Sequence, residues 1–415
     1  MLVPKLRFKR EDGTDYPEWK EKPFVSFCDV VTKQTGFDYS KTIKQALLTK
    51  QEDNTLPYLQ TKNFSGKNFN YSTDYYIPIE VASQFEQIIL DRKCLLFSIV
   101  GASVGNIALF PNTTKCFLSG AICVAKPIKE EQTAYLYYFM CSESGQSQIR
   151  NATKGSGQAT VTIEDIRAFS IKTSCPEEQQ KIAGFLSTVD EVITQSEAEV
   201  RNLEQQKKSA MQKIFSQELR FKREDGTEYP EWEQTSLEDV CNIVGGGTPS
   251  TKNIDYWNGN IQWFTPSEIG KTKYVSKSVR TISQVGFEKS SARKLPVGTI
   301  LLTSRATLGE MAIATIECTT NQGFQSLIPR RINGEYLYYL QPTIKNYCNK
   351  KACGSTFNEI SKGELGKCKI PMPHFEEQQK IADFLSAFDE AISYAKQEFD
   401  KWKELKKGLL QQMFV

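Results

Sequence analysis

Several loops of this chain have the residue types that contact nucleic acid. Residues 60–68 and 265–273 combine lysine with hydroxyl and amide side chains, and Gly-Ser turns stand beside lysine at 154–158 and 350–355. Arginine and lysine match the acceptors of guanine and phosphate, and the amides of asparagine and glutamine match adenine. An ordinary surface turn would have the same composition, so each loop is a hypothesis. The candidate DNA contacts are Lys62, Asn63, Lys67, Asn68, Lys154, Ser156, Gln158, Ser267, Lys271, Lys273, Arg305, Asn321, Gln322, Lys350, Lys351 and Ser355.

The sequence has no residues arranged for catalysis. Residues 245–249 are rich in glycine but lack the Lys-Ser/Thr that ends a phosphate-binding loop, and no Asn/Asp-Pro-Pro-aromatic tetrapeptide of an adenine methyltransferase is present. His374 is the only histidine, which argues against histidine-dependent nuclease chemistry. We therefore predict a binding or assembly protein that has no catalytic residue and no cofactor of its own.

Cysteine usage and hydropathy indicate the compartment. The 11 cysteines form no C-x-x-C pair, which predicts reduced thiols and no metal site. No apolar run approaches the roughly 20 residues that span a bilayer, and the N-terminus lacks the apolar core of a signal peptide. These features predict a location in the bacterial cytoplasm and no membrane partner.

Positive charge is concentrated in two segments of the chain. The net charge of the whole chain is +3, but residues 22–174 carry +3 and residues 234–373 carry +7, whereas 175–217 and 374–415 carry −2 each. A polyanion would meet the two basic segments. A solvated surface could have the same balance, so charge alone does not decide the partner.

Two pieces of the sequence occur twice. LRFKREDGTDYPEW at 6–19 matches 219–232 at thirteen of fourteen positions, and EEQQKIAGFLS at 177–187 matches 376–386 at ten of eleven positions. The offsets are 213 and 199, and the segments between these repeats have diverged. This pattern indicates one framework that presents two different surfaces.

Each EEQQ repeat opens a long amphipathic segment. Apolar residues recur in steps of mostly three and four, which is the spacing of a coiled-coil seam. We predict that the two helices pack on each other, although each could instead pack on its own module. The predicted seam consists of Ile182, Leu186, Val189, Ile193 and Leu203 in the first helix, and Ile381, Leu385, Phe388, Ile392, Phe399 and Trp402 in the second.

The repeats define the predicted domain organisation of an α/β (α+β) protein. Residues 1–21 repeat the connector at 218–233, so the N-terminal segment is expected to pack near the end of the second helix and close a pseudo-twofold ring. The predicted segments are 1–21, module one at 22–174, a first long helix at 175–217, a connector at 218–233, module two at 234–373 and a second long helix at 374–415.

These segments resemble a known family. The EEQQKIA-x-FLS helix openings are similar to the conserved regions of type I restriction-modification specificity subunits. Residues 247–250 (GTPS), 255–263 (DYWNGNIQW), 301–309 and 320–324 (TNQGF) resemble parts of their target recognition domains. Module one departs from the pattern, since it lacks the Tyr-Trp-x-Gly element and has Leu-Ser-Gly-Ala at 118–121.

The resemblance implies a non-catalytic DNA-recognition subunit. Two target recognition domains would be held apart by two antiparallel helices, and each would read one half of a bipartite, asymmetric double-stranded DNA target. The helices would set the spacer and dock two methylation subunits, and restriction subunits could join. S-adenosylmethionine, ATP and magnesium would belong to those partners. The alternatives are a stand-alone DNA methyltransferase or nuclease, and a coiled-coil scaffold without a DNA role.

Overall fold

The computed structural model describes residues 4–155, 159–352 and 359–414. The chain folds into two compact units. The first comprises Met1–Ala198 and Lys396–Val415, and the second comprises Glu199–Ala395. Each unit therefore contains one module and part of both long helices.

Module one is built around two four-stranded sheets, with strand orders β6-β3-β10-β7 and β2-β11-β8-β9. The strands are β1 (Lys20–Pro23), β2 (Cys28–Lys33), β3 (Thr55–Leu59), β4 (Phe64–Ser65), β5 (Asn68–Phe69), β6 (Tyr76–Pro78), β7 (Ile89–Leu90), β8 (Cys94–Ser98), β9 (Ile107–Phe110), β10 (Cys116–Leu118), β11 (Ile122–Pro127) and β12 (Ser170–Thr173). The helices are α1 (Gly36–Asp38), α2 (Lys44–Ala46), α3 (Ile79–Ala82), α4 (Thr133–Cys141), α5 (Glu143–Ala152), α6 (Ile163–Ala168) and the long α7 (Pro176–Phe215). Every residue of β8, β10 and β11 is buried.

Module two has a five-stranded sheet, β14-β21-β18-β19-β16, and a three-stranded sheet, β17-β15-β20. The strands are β13 (Glu233–Ser236), β14 (Cys241–Gly245), β15 (Trp257–Phe264), β16 (Tyr274–Val275), β17 (Arg280–Ile282), β18 (Ile300–Leu302), β19 (Met311–Ala314), β20 (Cys318–Thr320), β21 (Gln325–Pro329) and β22 (Lys369–Met372). The helices are α8 (Leu237–Val240), α9 (Gln284–Glu288), α10 (Gly334–Tyr339), α11 (Gln341–Lys351), α12 (Lys362–Gly366) and the long α13 (Phe375–Met413).

The two modules share pairings despite their divergent sequences. The entry strand pairs antiparallel with the exit strand in each, β1 with β12 and β13 with β22. The next strand also has an equivalent partner, since β2 pairs with β11 and β14 pairs with β21. A parallel pair follows in each module, β3 with β10 and β15 with β20. The framework is therefore common to both modules.

The two long helices are antiparallel and pack together within each unit. In the first unit Asp190 of α7 forms an ion pair with Lys406 of α13 at 2.6 Å. In the second unit Lys207 of α7 forms an ion pair with Asp389 of α13. These are the same pair by the offset of 199, because Asp190 corresponds to Asp389 and Lys207 to Lys406. The predicted α/β (α+β) class with two long antiparallel helices is confirmed.

The predicted seam residues divide between two roles. Ile182 and Leu186 belong to the hydrophobic core of module one, and Ile381 and Leu385 belong to that of module two. The first turns of each helix thus pack on their own module, as the alternative interpretation expected. Val189 is buried as well. The other predicted seam residues are half-buried: Ile193, Leu203, Phe388, Ile392, Phe399 and Trp402.

A buried carboxylate at the start of each long helix explains why the two short repeats are so similar in sequence. Glu178, at the start of α7, is fully buried and accepts two hydrogen bonds from Arg7, at 3.0 and 2.8 Å. Glu377, at the start of α13, is fully buried and accepts two from Arg220, at 3.0 and 2.9 Å. The tryptophan that ends each short segment donates to the same carboxylate, at 3.2 and 2.9 Å. A buried charge needs such partners, so the LRFKREDGT segment and the EEQQ helix form one structural element.

The short repeats also contact the ends of the long helices. Leu219 N donates to Lys213 O at 3.0 Å, where the chain leaves α7. Leu6 N donates to Gln412 O at 3.0 Å, although these residues lie at opposite ends of the sequence. The N-terminal segment therefore contacts the end of α13 as the connector contacts the end of α7.

Among the residues that the structure describes, no helix combines the length and the apolar character that crossing a membrane requires.

Candidate nucleic-acid interface

Parallel strands bring the variable loops of each module together at one sheet edge. The loops after β3 and β10 are neighbours in module one, where Ser119 N donates to Leu59 O at 3.0 Å. The loops after β15 and β20 are neighbours in module two, where Asn321 N donates to Phe264 O at 3.0 Å. Because parallel strands end at the same edge, side chains from distant parts of the sequence meet there. We call these two regions the strand-end sites.

In module two, the strand-end site joins the loops after β14 and β20. The hydroxyl of Thr248 donates to the Gln322 side-chain oxygen, and Gly247 N donates to Thr320 O at 2.9 Å. The Asn321 side-chain oxygen accepts a hydrogen bond from Gly323 N at 2.8 Å. Gln322 is exposed and Asn321 is half-buried. Two predicted contact residues are thus held on one loop by local hydrogen bonds.

Arg305 and Ser267 lie next to the same loop. A Cβ atom on Gly323 would lie 2.8 Å from the Pro266 ring and 3.4 Å from the Arg305 Nε atom. A side chain at Gly323 would collide with the proline ring, so glycine permits this approach. Ser267 follows Pro266 and is exposed. The structure therefore brings together Ser267, Arg305, Asn321 and Gln322, which suit phosphate and base edges.

Lys67 contacts the long helix instead of facing an open loop surface. Its ammonium donates to the Tyr138 hydroxyl at 2.6 Å and lies 2.8 Å from the Asp190 carboxylate. Tyr138 in turn donates to Asp190 at 2.7 Å. Burial raises the pKa of Asp190, but hydrogen bonds from Lys406 and Lys67 outweigh burial, so its pKa lies below the ordinary aspartate value. The carboxylate is therefore charged, and a phosphate would have to displace it from Lys67.

Lys273 occupies the equivalent place in module two. Its ammonium donates to the Tyr339 hydroxyl at 2.8 Å and to the Ser386 hydroxyl at 2.9 Å. Asp389 lies 3.9 Å from it and accepts a hydrogen bond from Tyr339 at 2.5 Å. Burial raises the pKa of Tyr339, which keeps this hydroxyl protonated as a donor. Each module is thus attached to a long helix by a Lys-Tyr-Asp network.

The other predicted contacts are scattered. Lys62 forms an ion pair with Asp74, and Lys154 lies 3.5 Å from Asp165. Asn63 is 4% exposed, and its side-chain oxygen accepts a hydrogen bond from Gln60 N at 2.9 Å, so it stabilises its own turn. Exposed positions are held by Asn68, Lys271, Lys350 and Lys351. Ser156, Gln158 and Ser355 lie outside the described residues.

The strand-end site of module one contains a cleft of about 770 Å³ whose described lining includes none of the predicted contact residues. Gln34 follows β2 and is 3% exposed within it, and Ser119 follows β10 and is 8% exposed. Lys33 and Lys44 also line the cleft and are exposed. At the offset of 213 Gln34 aligns with Gly247, and no local sequence signal marks Gln34 as a cleft residue.

The described residues carry no sign of a metal centre. Across residues 4–155, 159–352 and 359–414, no group of three or more His, Cys, Asp or Glu side chains is placed to hold an ion. The ten cysteines in these ranges are free thiols, and burial raises the pKa of Cys28 to about 12. A thiol with a pKa this high is a poor nucleophile near neutral pH.

Comparison with known proteins gives consistent matches. The family model described as "Type I restriction modification DNA specificity domain" matches residues 18–205 and 229–401. The type I restriction enzyme MjaIX specificity subunit of Methanocaldococcus jannaschii is 40% identical over 207 residues, which is 48% of this chain and 48% of that relative. The MjaVIII specificity subunit of the same organism is 25% identical over 429 residues, which covers 97% of this chain and 94% of the relative. The EcoR124I/EcoR124II specificity subunit of Escherichia coli is 26% identical over 354 residues, covering 80% and 84%.

Solved structures share the fold. The type I restriction-modification S subunit from M. genitalium superposes with a TM-score of 0.59 at 17% identity, covering 100% of this chain and 99% of that chain. A chain from a structural study of complex assembly and conformational transition in the type I restriction-modification system also gives a TM-score of 0.59, at 19% identity, covering 96% and 98%.

Proposed function

Because the chain belongs to the family of type I restriction modification DNA specificity domains, we propose that it reads DNA sequence for a type I restriction-modification complex and performs no catalysis. Module one reads one half of a bipartite double-stranded target, and module two reads the other half. The target is asymmetric, since the two strand-end sites have different side chains. The long helices dock the methylation subunits, and their length sets the unread spacer.

One observation carries this proposal: equivalent strand pairs present unlike loops. The loop after β10 reads Ser-Gly-Ala at 119–121, and the loop after β20 reads Asn-Gln-Gly at 321–323. The buried Arg-Glu pairs recur in both units, and each unit also has a lysine and an aspartate bound to one tyrosine hydroxyl. A framework that is constant while the loops vary is suited to reading two different sequences.

The proposal includes the partners. Two methylation subunits, which bind S-adenosylmethionine and methylate adenine, would use this chain to select their site. Restriction subunits, which use ATP and magnesium, would join the same complex. Such a complex works on DNA in the bacterial cytoplasm.

Sequencing the methylated adenines of host DNA, with and without this gene, tests the proposal. We expect one bipartite asymmetric motif to lose methylation when the gene is deleted and to regain it on complementation. An unchanged methylation pattern would contradict the proposal. Transfer of a labelled methyl group to DNA by the purified chain alone would instead support a stand-alone methyltransferase.

A further inference from the structure

Two buried polar residues, Gln34 and Ser119, line the cleft in module one, and we call them its floor. Gln34 and Ser119 are 97% and 92% buried, yet the Gln34 Nε2 amide and the Ser119 hydroxyl make no hydrogen bond to any described residue. Buried polar groups in folded proteins are nearly always paired with protein or water, so the two unpaired groups in this cleft have hydrogen-bonding capacity left for a water or a ligand.

The orientation of Gln34 is fixed by its neighbours. Its Oε1 atom accepts a hydrogen bond from the Tyr58 hydroxyl at 3.0 Å, which leaves Nε2 as the free donor. A Cβ atom on Gly120 would lie 3.4 Å from the same Oε1 atom, so the oxygen side of the amide packs closely on this glycine. The amide is therefore held in position before a ligand arrives.

The lining of the cleft suits a nucleobase. Tyr39 and Tyr75 supply aromatic surface, and Lys33 and Lys44 supply positive charge. None of the described lining residues is acidic. Aromatic surface stacks on bases, lysine attracts phosphate, and an amide donor pairs with an acceptor on a base.

In the described part of module two, no polar side chain takes the place of Gln34. Gly247 stands where module one has Gln34, and a Cβ atom there would lie 2.4 Å from the backbone of Ser291 and Ala292. The Gly247 carbonyl also accepts a hydrogen bond from Trp263 Nε1 at 2.9 Å. In module two, the backbone of Ser291 and Ala292 thus lies where the side chain of Gln34 would be expected from module one.

We propose that the module-one cleft binds a nucleobase of the first half-site, with Gln34 as a specificity-determining residue that donates through Nε2 to an acceptor on that base and Ser119 as a second contact. This assignment rests on the proposed function, because it presumes that module one reads DNA. The base is either stacked and read at its edge, or unstacked and drawn into the cleft.

The test uses the chain assembled with its methylation subunits and a DNA library in which each target base is varied. Gln34→Glu keeps an oxygen for the Tyr58 hydroxyl but replaces the free donor with an acceptor. We expect the preferred base at one position of the first half-site to change from one with an acceptor to one with a donor, with a loss of about tenfold on the parental base. Ser119→Ala should relax preference at the same or the adjacent position.

Two internal controls separate the possible failures. Lys44→Ala, at the exposed rim of the cleft, should weaken all sequences about equally and leave preference unchanged. The second half-site should be read as before in every variant, which reports folding and assembly. Unaltered preference at all first-half positions in both floor variants would overturn the assignment and leave the proposed function intact. A wild-type complex without sequence preference would refute the proposed function itself.

The two modes of base binding can be told apart by placing 2-aminopurine at the target position whose preferred base changes in Gln34→Glu. A rise in its fluorescence on binding indicates a base drawn out of the stack. Unchanged fluorescence, together with the altered preference, indicates that the edge is read in place.

Discussion

The strand-end sites of the two modules differ although the strands that build them correspond. In module one a buried glutamine with a free amide lies at the floor of a cleft, whereas in module two glycine at the equivalent position is packed against backbone. Module two instead presents Arg305, Asn321 and Gln322 from converging loops. The comparison teaches that the loops after matched strands differ between the modules, while the contacts that hold each module are kept constant.

The largest expected effect concerns the constant contacts. Arg7→Ala leaves the fully buried carboxylate of Glu178 without its charged partner, and Arg220→Ala does the same to Glu377. We expect each change to lower the free energy of unfolding of its own unit by about 3 kcal/mol. Urea denaturation followed by tryptophan fluorescence would measure both. Clearly unequal losses would show that the two units do not share one framework.

A smaller effect is expected from the Lys-Tyr-Asp networks. Asp190→Asn weakens the hydrogen bonds to Lys67 and Lys406 and should lower the free energy of unfolding by about 2 kcal/mol. Because the folded-state pKa of Asp190 is lowered, its stabilisation is complete above the unfolded value of about 4 and is lost as pH falls through the folded value. The variant should therefore lose less stability than the wild type on acidification. Parallel acid titrations of the two proteins would detect the difference, and superimposable pH profiles would count against this role.

A still smaller effect tests whether the side-chain amide of Asn63 stabilises its own turn or contacts DNA. Asn63→Ala removes the acceptor for Gln60 N and should cost about 1 kcal/mol of stability, whereas Asn63→Asp retains the acceptor and should cost less. Neither change should alter the sequence that is methylated. A new base preference in Asn63→Asp would instead make Asn63 a reading residue, as the sequence analysis predicted.

The smallest effect concerns charge in the two modules. Lys271→Ala removes an exposed ammonium from the more basic module and should reduce the slope of log affinity against log salt by about 0.9. Lys62→Ala, whose ammonium is paired with Asp74, should change the slope less. Binding titrations of the assembled complex at several salt concentrations would compare the two. Equal slopes would show that the ion pair with Asp74 does not reduce the contribution of Lys62 to DNA binding.

Much of the framework could be predicted from the sequence because its signals are local or repeated. The seam spacing of α7 and α13 and the duplicated segments lie in the sequence itself. The roles of Lys67 and Lys273 could not be predicted, since a lysine in a polar loop looks the same whether it meets DNA or an aspartate of a helix more than 100 residues away. Gln34 was missed for the same reason: its cleft exists only where the ends of β2, β3 and β10 meet.

Replacing residues 234–373 with the second module of another specificity subunit tests the central claim most directly. Methylated-adenine sequencing of cells that carry the chimera should show a target whose second half has changed and whose first half has not. A methylated sequence identical to that of the parent chain, or one altered in both halves, would contradict the assignment of one half-site to each module.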